Sequence, residues 1–68
     1  MEFLKGILTE LKTIEVICLD NLNIEDQLTI RSTYLAVSVP PENNTHFYRV
    51  TNDKGSVGVY EQQRFRKV

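Results

Sequence analysis

A thiol and an imidazole, the two groups best suited to nucleophilic chemistry, each occur once, as Cys18 and His46. A catalytic Cys–His pair also needs a third group that orients the imidazole and a cleft that admits substrate. Cys18 stands between apolar neighbours in the run 16–19, where a free cysteine usually packs as a small hydrophobe. The sequence therefore favours a structural role for Cys18. A single cysteine also excludes an intramolecular disulfide, and one Cys with one His falls short of a four-ligand structural zinc site.

Acidic side chains gather in the segment 20–26, which contains Asp20, Glu25 and Asp26. Carboxylates with neighbouring amides are the oxygen ligands that a divalent cation takes. Their spacing matches no calcium-binding loop, and a charged, solvated loop accounts for them more simply. The sequence also contains no phosphate-binding loop, dinucleotide fingerprint, zinc-protease helix or serine-hydrolase elbow. We therefore expect a protein without catalytic residues, cofactor or metal.

Aromatic and basic side chains alternate in the C-terminal half, a pattern that suits single-stranded nucleic acid. Aromatic rings stack on bases, and cations neutralise phosphates. The residues that would form such a site are Tyr48, Arg49, Tyr60, Arg64, Arg66 and Lys67. However, a small domain needs most of its aromatic residues inside, and the sequence pI of about 5.7 is low for a phosphate-binding protein. Nucleic-acid binding is therefore the alternative interpretation and not the leading one.

The first twelve residues have the apolar period of an amphipathic helix. Its apolar stripe consists of Phe3, Leu4, Ile7, Leu8 and Leu11. A helix of this length is marginal alone in water, so the stripe has to pack on the rest of the domain or on a second chain. We predict a helix over 1–12, with Phe3, Ile7 and Leu11 as protein-binding residues. If the helix packs on another copy of the chain, the same three residues anchor a homodimer.

After residue 12 the pattern changes to short runs of β-branched and aromatic residues, which predict extended segments. These segments are 13–19, 28–30, 33–39, 47–51, 56–60 and 65–68. Pro40 and Pro41 are predicted to end the third segment because proline cannot donate to a ladder. The segment 52–55 predicts a hairpin turn that ends in a left-handed Gly55. Gly58 indicates a bulge or a close backbone approach, and 61–64 a single tight turn.

The 68 residues leave room for one small domain. The strands are too short for a sandwich, and closing the sheet on itself would remove its exposed edges. We therefore predict a mainly β fold, a small five-stranded SH3-like barrel over 13–68 preceded by the short N-terminal amphipathic helix 1–12. An OB-like barrel is disfavoured because it needs longer strands and an internal helix. The third option is a curved sheet with the helix lying across one face.

Several of these short motifs resemble small uncharacterised SH3-like barrel proteins of tailed phages and prophages. The resemblance is carried by Cys18-Leu19-Asp20-Asn21, Leu28-Thr29, Tyr34, Tyr48-Arg49-Val50, Asn52-Asp53-Lys54-Gly55, Tyr60 and Arg64-Phe65. The chain departs from the pattern at Arg31-Ser32-Thr33, where Gly-Lys usually precedes the aromatic position. The resemblance covers 14–68 and implies a fold and a viral origin. It implies no activity, because function does not follow from fold.

Charge is divided unevenly along the chain although the net charge is only −1. Residues 1–30 contain six acidic and two basic residues, whereas 31–68 contain three acidic and six basic ones. An acidic half with an apolar helix suits a basic surface on another protein. We therefore predict a non-catalytic protein-binding module, an adaptor or inhibitor of a host or phage protein, with Glu25 and Asp26 joining the helix stripe in the site. The resemblance implies that phage proteins of this size act in this way.

No segment has the pattern of a signal peptide or of a membrane span. We therefore expect the protein in the cytoplasm, which is the host cytoplasm if a phage encodes it, with no membrane partner.

Overall fold

The described residues form one antiparallel sheet. A computed structural model describes residues 12–68, and the predicted N-terminal helix lies outside them except for Lys12. The strands are β1 (Ile14–Cys18), β2 (Thr33–Glu42), β3 (Thr45–Thr51), β4 (Val57–Glu61) and β5 (Phe65–Lys67), and a 3-10 helix, Gln62–Arg64, joins the last two. Their order across the sheet is β4-β3-β2-β1-β5. The prediction of a mainly β fold with five strands and a tight turn before the last strand is confirmed.

The sheet is open, so the prediction of a closed barrel is wrong for the described residues. Its two end strands, β4 and β5, do not pair with each other. The 3-10 helix carries the chain from one edge to the other, where Phe65 of β5 pairs with Cys18 of β1. Phe65 is buried and faces the core, as predicted.

The longest strand, β2, runs through the two prolines that were predicted to end it. It pairs with β1 as far as Ala36 and continues on β3 alone. The register shifts between Val39 and Glu42, so Pro40 and Pro41 lie in an irregular stretch where a missing N–H costs no regular ladder bond. The strand instead ends at a two-residue turn formed by Asn43 and Asn44, both at positive φ.

The core lies on one face of the sheet, which we call the inner face. Its buried side chains are Val16, Cys18, Leu28, Tyr34, Ala36, Tyr48, Val50, Tyr60 and Phe65. Those on the strands alternate with outward-facing neighbours, as the pleat requires. The loop 19–32 covers this face and inserts the fully buried Leu28. The predicted extended segment 28–30 is not a strand, because Leu28 is held by tertiary packing and the residues after it turn.

The backbone is left-handed at the turn positions Gly55 and Arg31, and is closely approached at Gly58 in β4. Gly55 is left-handed at φ 79, as predicted. A Cβ on Gly58 would lie 2.5 Å from Oη of Tyr60, which confirms the predicted close approach. Arg31, in the turn before β2, has φ 71, so a residue with a side chain takes a left-handed conformation there.

Candidate functional site

The outer face of the sheet, opposite the core, carries exposed apolar side chains. Leu35 of β2 and Val57 of β4 each expose 62% of their surface, and Val59 exposes 57%. Val37, which follows Leu35 on the same face of β2, is half-buried. We call these four residues the outer patch. Large apolar side chains that lie exposed side by side mark a surface that another molecule covers.

The strand register joins the outer patch into one surface. Val37 is opposite Arg49 of β3, which is opposite Val59, and Thr51 is opposite Val57. Side chains directly opposite each other lie about 5 Å apart at Cβ. A shallow groove of about 320 Å³ crosses these strands and is lined by Thr13, Leu35, Val37, Arg49, Thr51 and Val57. The patch therefore consists of two apolar pairs, on β2 and on β4, with Arg49 and Thr51 of β3 between them, and a hydrogen-bonded sheet carries it.

Arg49 places a positive charge at the centre of this apolar surface. Its side chain is exposed, and it makes no ion pair with any of the residues 12–68. An arginine stem adds apolar area, while its guanidinium binds carboxylates in a fixed geometry. The outer patch can therefore accept an apolar ligand that also presents an acidic group.

A network of hydrogen bonds centred on Asp53 clamps the loop 19–32 to the β3–β4 turn on the other side of the molecule. Thr29 Oγ1 donates to Asp53 Oδ2 and Tyr34 Oη donates to Asp53 Oδ1, both at 2.7 Å. The Asp53 amide donates to the Gln27 carbonyl at 2.8 Å. The hydrogen bonds from Thr29 and Tyr34 hold the pKa of Asp53 below its ordinary value. Burial, with a smaller contribution from Asp53, raises the pKa of Tyr34.

A second set of contacts reinforces the same clamp. Tyr60 Oη donates to Gln27 Oε1 at 2.6 Å and accepts from Asn52 Nδ2 at 3.1 Å. Lys54 Nζ pairs with Asp26 Oδ2 at 2.8 Å. Because these polar groups form hydrogen bonds and an ion pair with one another, their role is to fix the loop 19–32 to the β3–β4 turn. The Lys54–Asp26 pair also joins the acidic and basic halves of the chain, so the charge asymmetry of the sequence is partly neutralised across the fold.

Two of the five predicted protein-binding residues, Glu25 and Asp26, lie in the described part of the chain. Phe3, Ile7 and Leu11 lie outside the described residues. Glu25 and Asp26 are exposed on the loop 19–32, which covers the inner face, so they lie on the other side of the sheet from the outer patch. The hydrogen bond from Lys54 also lowers the pKa of Asp26 and engages its carboxylate.

Two of the predicted nucleic-acid residues belong to the core. Tyr48 is 4% exposed and Tyr60 is 6% exposed. Both rings pack edge to face on Phe65, with centroids at 5.8 and 6.3 Å. Since neither ring can reach a base, their assignment as base-stacking residues is wrong.

The basic residues of that set are also dispersed. Arg64 Nε donates to Glu61 Oε1 at 2.9 Å, and its Nη1 reaches the carbonyls of the loop 19–32, so it ties the 3-10 helix to that loop. Arg66 and Lys67 are exposed on β5, which β1 and β2 separate from Arg49 on β3. These cations therefore do not line one binding groove.

The candidate catalytic and metal-binding groups are not assembled into a site. Cys18 is fully buried, and burial raises the pKa of its thiol, which contacts the Asp20 carbonyl at 3.7 Å. The interpretation of Cys18 as a small core hydrophobe is confirmed. His46 is exposed at the start of β3. Within residues 12–68 there is no group of three or more side chains that could hold a metal ion.

His46 does line a polar cleft between the β2–β3 turn and the 3-10 helix. The cleft has a volume of about 450 Å³ and is lined by Asn44, Thr45, His46, Glu61, Gln62 and Gln63. Gln62 Nε2 donates to the Phe47 carbonyl at 3.1 Å, and Glu61 pairs with Arg64. These contacts hold the 3-10 helix against β3, so Glu61 and Gln62 have a structural role in the cleft.

The outer patch was not among the predicted sites, although the sequence of β2 contains a signal for it. Residues 34–37 are apolar at every position, so this strand presents apolar side chains to both faces of the sheet. Such a run is typical of a strand that is covered on both sides. Val57 and Val59 repeat the signal on β4, where they alternate with the inward-facing Tyr60 and Gly58.

No protein-family model matches the chain, and no curated protein or solved structure has significant similarity to it. In the part of the chain that the structure describes, no helix is long and apolar enough to cross a membrane.

Proposed function

We propose that this chain is a small non-catalytic protein-binding module, an adaptor or inhibitor that covers a surface of a host protein, and that the outer patch is its binding surface. The observation that carries the proposal is the exposure of Leu35, Val57 and Val59 on one face of the open sheet, on the two strands that flank β3. Large apolar side chains gathered on one exposed face are typical of a surface where a partner binds. Removing apolar area from water, at roughly 25 cal/mol per Å², supplies the driving force.

The groove across β2, β3 and β4 defines the kind of partner. Leu35, Val37 and Val57 supply the apolar part of its lining, and Arg49 lies between Val37 and Val59 in the register. A surface of this kind fits an apolar ridge with an acidic residue at its side, such as one face of an amphipathic helix. The attraction between Arg49 and that acidic residue fixes the orientation of the partner more than it raises the binding affinity.

The same proposal includes an SH3-like class of fold. The order β4-β3-β2-β1-β5 and the 3-10 helix before β5 support an SH3-like arrangement of the strands. The left-handed Arg31, at the glycine position of the phage pattern, supports the resemblance to small phage proteins. On this proposal the chain is of phage type and acts in the host cytoplasm.

The alternative, single-stranded nucleic-acid binding, has weaker support. With Tyr48 and Tyr60 in the core, only dispersed cations remain for phosphate contacts. Such contacts give binding that salt weakens steeply.

Affinity capture from a bacterial lysate, followed by mass spectrometry, tests the proposal when it is done with matched variants. Leu35→Glu places a charge in the outer patch, and Leu22→Glu places one on the loop 19–32. The two parent side chains are equally accessible, with 62% and 64% exposure. We expect a protein that the wild type and Leu22→Glu both retain and that Leu35→Glu loses.

Circular dichroism should confirm that both variants keep the β fold, since neither side chain is part of the core. A partner that all three proteins retain equally would contradict the outer patch as the binding surface. Retention that nuclease treatment abolishes would favour the nucleic-acid alternative.

A further inference from the structure

We propose that a second copy of this chain pairs with the edge of β4 that faces away from β3, so that two β4 strands run antiparallel and two five-stranded sheets join into one. The inference does not rest on the proposed function, because edge pairing uses the rim of the sheet and leaves its outer face accessible. It assigns a partner to backbone groups at that rim that no hydrogen bond within residues 12–68 satisfies.

The register between β3 and β4 shows which backbone groups of β4 point away from the sheet. The Asn52 amide donates to the Ser56 carbonyl at 2.8 Å, so these two residues form a hydrogen-bonded pair. Bonded and non-bonded pairs alternate along an antiparallel ladder. Counting along β4 from this pair, Gly58 bonds to β3, whereas Val57 and Val59 do not. The N–H and C=O groups of both valines therefore point outward from the edge.

The opposite edge of the sheet, β5, is protected against pairing, and β4 is not. β5 has only three residues, and Arg66 and Lys67 are exposed cations on it. The Phe65 amide already donates to the Gln62 carbonyl. Short length and charged side chains are means by which proteins block an edge strand, as are prolines and bulges. β4, whose sequence is VGVYE, contains no lysine or proline and pairs with β3 without a register shift.

This difference between the edges determines the symmetry of the pairing. A contact between β4 of one copy and β5 of the next would continue without closing and build a fibre. Because β5 is protected, the open edge of one copy meets the open edge of another. The assembly is then a two-fold dimer that closes on itself.

β4 is complementary to itself in one antiparallel register. With the two-fold axis at Gly58, Val57 of each copy lies opposite Val59 of the other, and the outward backbone groups of each such pair exchange two hydrogen bonds. At the axis, Gly58 faces Gly58 of the partner, and neither has a side chain that would keep the backbones apart. A ladder of this kind needs an extended strand as its partner. β4 of a second copy already has that conformation, so no segment has to become ordered on binding.

The same register joins the outer patches of the two copies without opposing their charges. Val57 and Val59 of both copies form one apolar cluster at the junction, and Arg49 flanks it on each side. Three strand spacings separate the two β3 strands, so the two Arg49 backbones lie about 14 Å apart or more. Salt screens exposed charges that are separated by more than about 10 Å. The repulsion between the two cations is therefore weak.

Sedimentation velocity on the full chain tests the proposal. The junction contains one five-residue strand from each copy, so we expect a weak complex of the class with interfaces below about 1,200 Å². In a concentration series that ends at about 1 mM, the mean mass should rise from the monomer mass of 7.9 kDa toward twice that value. In ¹⁵N-labelled protein the amide signals of Val57 and Val59 should shift over the same series, and that of Leu22 should not.

A first pair of variants tests the backbone hydrogen bonds. Val59→Pro removes an outward N–H, and an edge strand tolerates proline where the N–H faces solvent. Val59→Thr keeps the N–H in a side chain of the same shape. We expect the proline variant to lose the association and the threonine variant to keep it. Circular dichroism should show the β fold in both.

A second pair of variants separates the edge from the outer face. Val57→Lys places a charge at the edge, and Leu35→Lys places the same charge on β2, away from the edge. The two parent side chains lie on the same face and are each 62% exposed. Because lysine on an edge strand opposes pairing, we expect Val57→Lys to raise the dissociation constant about ten-fold or more and Leu35→Lys to leave it unchanged.

Three results would overturn the proposal. The first is a mass of one chain at every concentration; if the Val57 and Val59 amides of that monomer are protected from hydrogen exchange, a segment of the same chain covers the edge instead. The second is a dimer that a folded Val59→Pro or Val57→Lys variant keeps. The third is a dimer that Leu35→Lys also loses, since the outer faces would then be in contact. Sedimentation uses the purified chain, so none of these results depends on whether the capture experiment finds a partner.

Discussion

Tyr34 Oη donates a 2.7 Å hydrogen bond to Asp53 Oδ1, which joins the start of β2 to the β3–β4 turn. The same oxygen accepts a 2.7 Å hydrogen bond from the Thr29 amide. One buried tyrosine thus holds the loop 19–32 in the position that keeps Leu28 in the core. Because the loop closes the inner face in this way, the outer face is left as the accessible side of the sheet.

Removing the Tyr34 hydroxyl should weaken this clamp. Tyr34→Phe leaves the Thr29 amide without its acceptor and Asp53 without one donor, and we expect the free energy of unfolding to fall by about 1–2 kcal/mol. Urea denaturation followed by circular dichroism measures the change. Tyr48→Phe is the matched control, since Tyr48 is also buried and its hydroxyl has no hydrogen bond to any described residue. Equal losses in the two variants would show that the clamp contributes nothing.

Acid should destabilise the fold through Asp53. Its pKa in the folded state lies below the ordinary value, because Thr29 and Tyr34 donate to its ionised form. The stabilisation is therefore present above the unfolded pKa of about 3.9 and is lost as pH falls through the lower, folded pKa. We expect the urea midpoint to be constant from about pH 7 to pH 5 and to fall below about pH 4.

Asp53→Asn should show a smaller acid-induced fall than the wild type. Some fall should remain, because the pKa values of Asp26 and Glu61 are also lowered by their partners, Lys54 and Arg64. An identical fall in the wild type and Asp53→Asn would remove Asp53 from the explanation.

Arg31→Gly should stabilise the chain. The residue is left-handed, a conformation that costs an L-residue with a side chain about 1–2 kcal/mol and glycine almost nothing. Glycine loses more entropy on folding, so we expect a net gain of about 0.5–1 kcal/mol in thermal or urea unfolding. Arg31→Ala removes the same charge and keeps the strain, and it should give no gain. If the alanine variant gains as much as the glycine variant, the arginine charge and not the backbone is responsible.

Local signals in the sequence were sufficient to predict most of the strands. Alternating apolar residues predicted β1, β3 and β4, and the turn residues before Gly55 predicted the hairpin. The two prolines misled the prediction for β2, because the bulge that accommodates them depends on pairing with β3. The openness of the sheet could not be predicted, since it depends on how the 3-10 helix directs β5 to the edge of β1.

The candidate site was harder to predict, because burial depends on which face of each strand the loop covers. Tyr48 and Tyr60 are residues of the type that stacks on bases. Their positions in the alternating strands nevertheless place both side chains in the core. Leu35 and Val37 belong to a continuous apolar run. Such a run does not indicate which of its residues face solvent and which face the core. The loop 19–32, which inserts Leu28 into the core, distinguishes the inner face from the outer one.

Methyl NMR of the full chain, titrated with the captured partner, is the most direct test of the outer patch as the binding surface. We predict that the methyl signals of Leu35, Val57 and Val59 shift or broaden on binding, while those of Leu22 and Val68, which are as exposed or more so, stay unchanged. Changes confined to Leu22 or Val68, with the three outer-patch residues unaffected, would contradict the account.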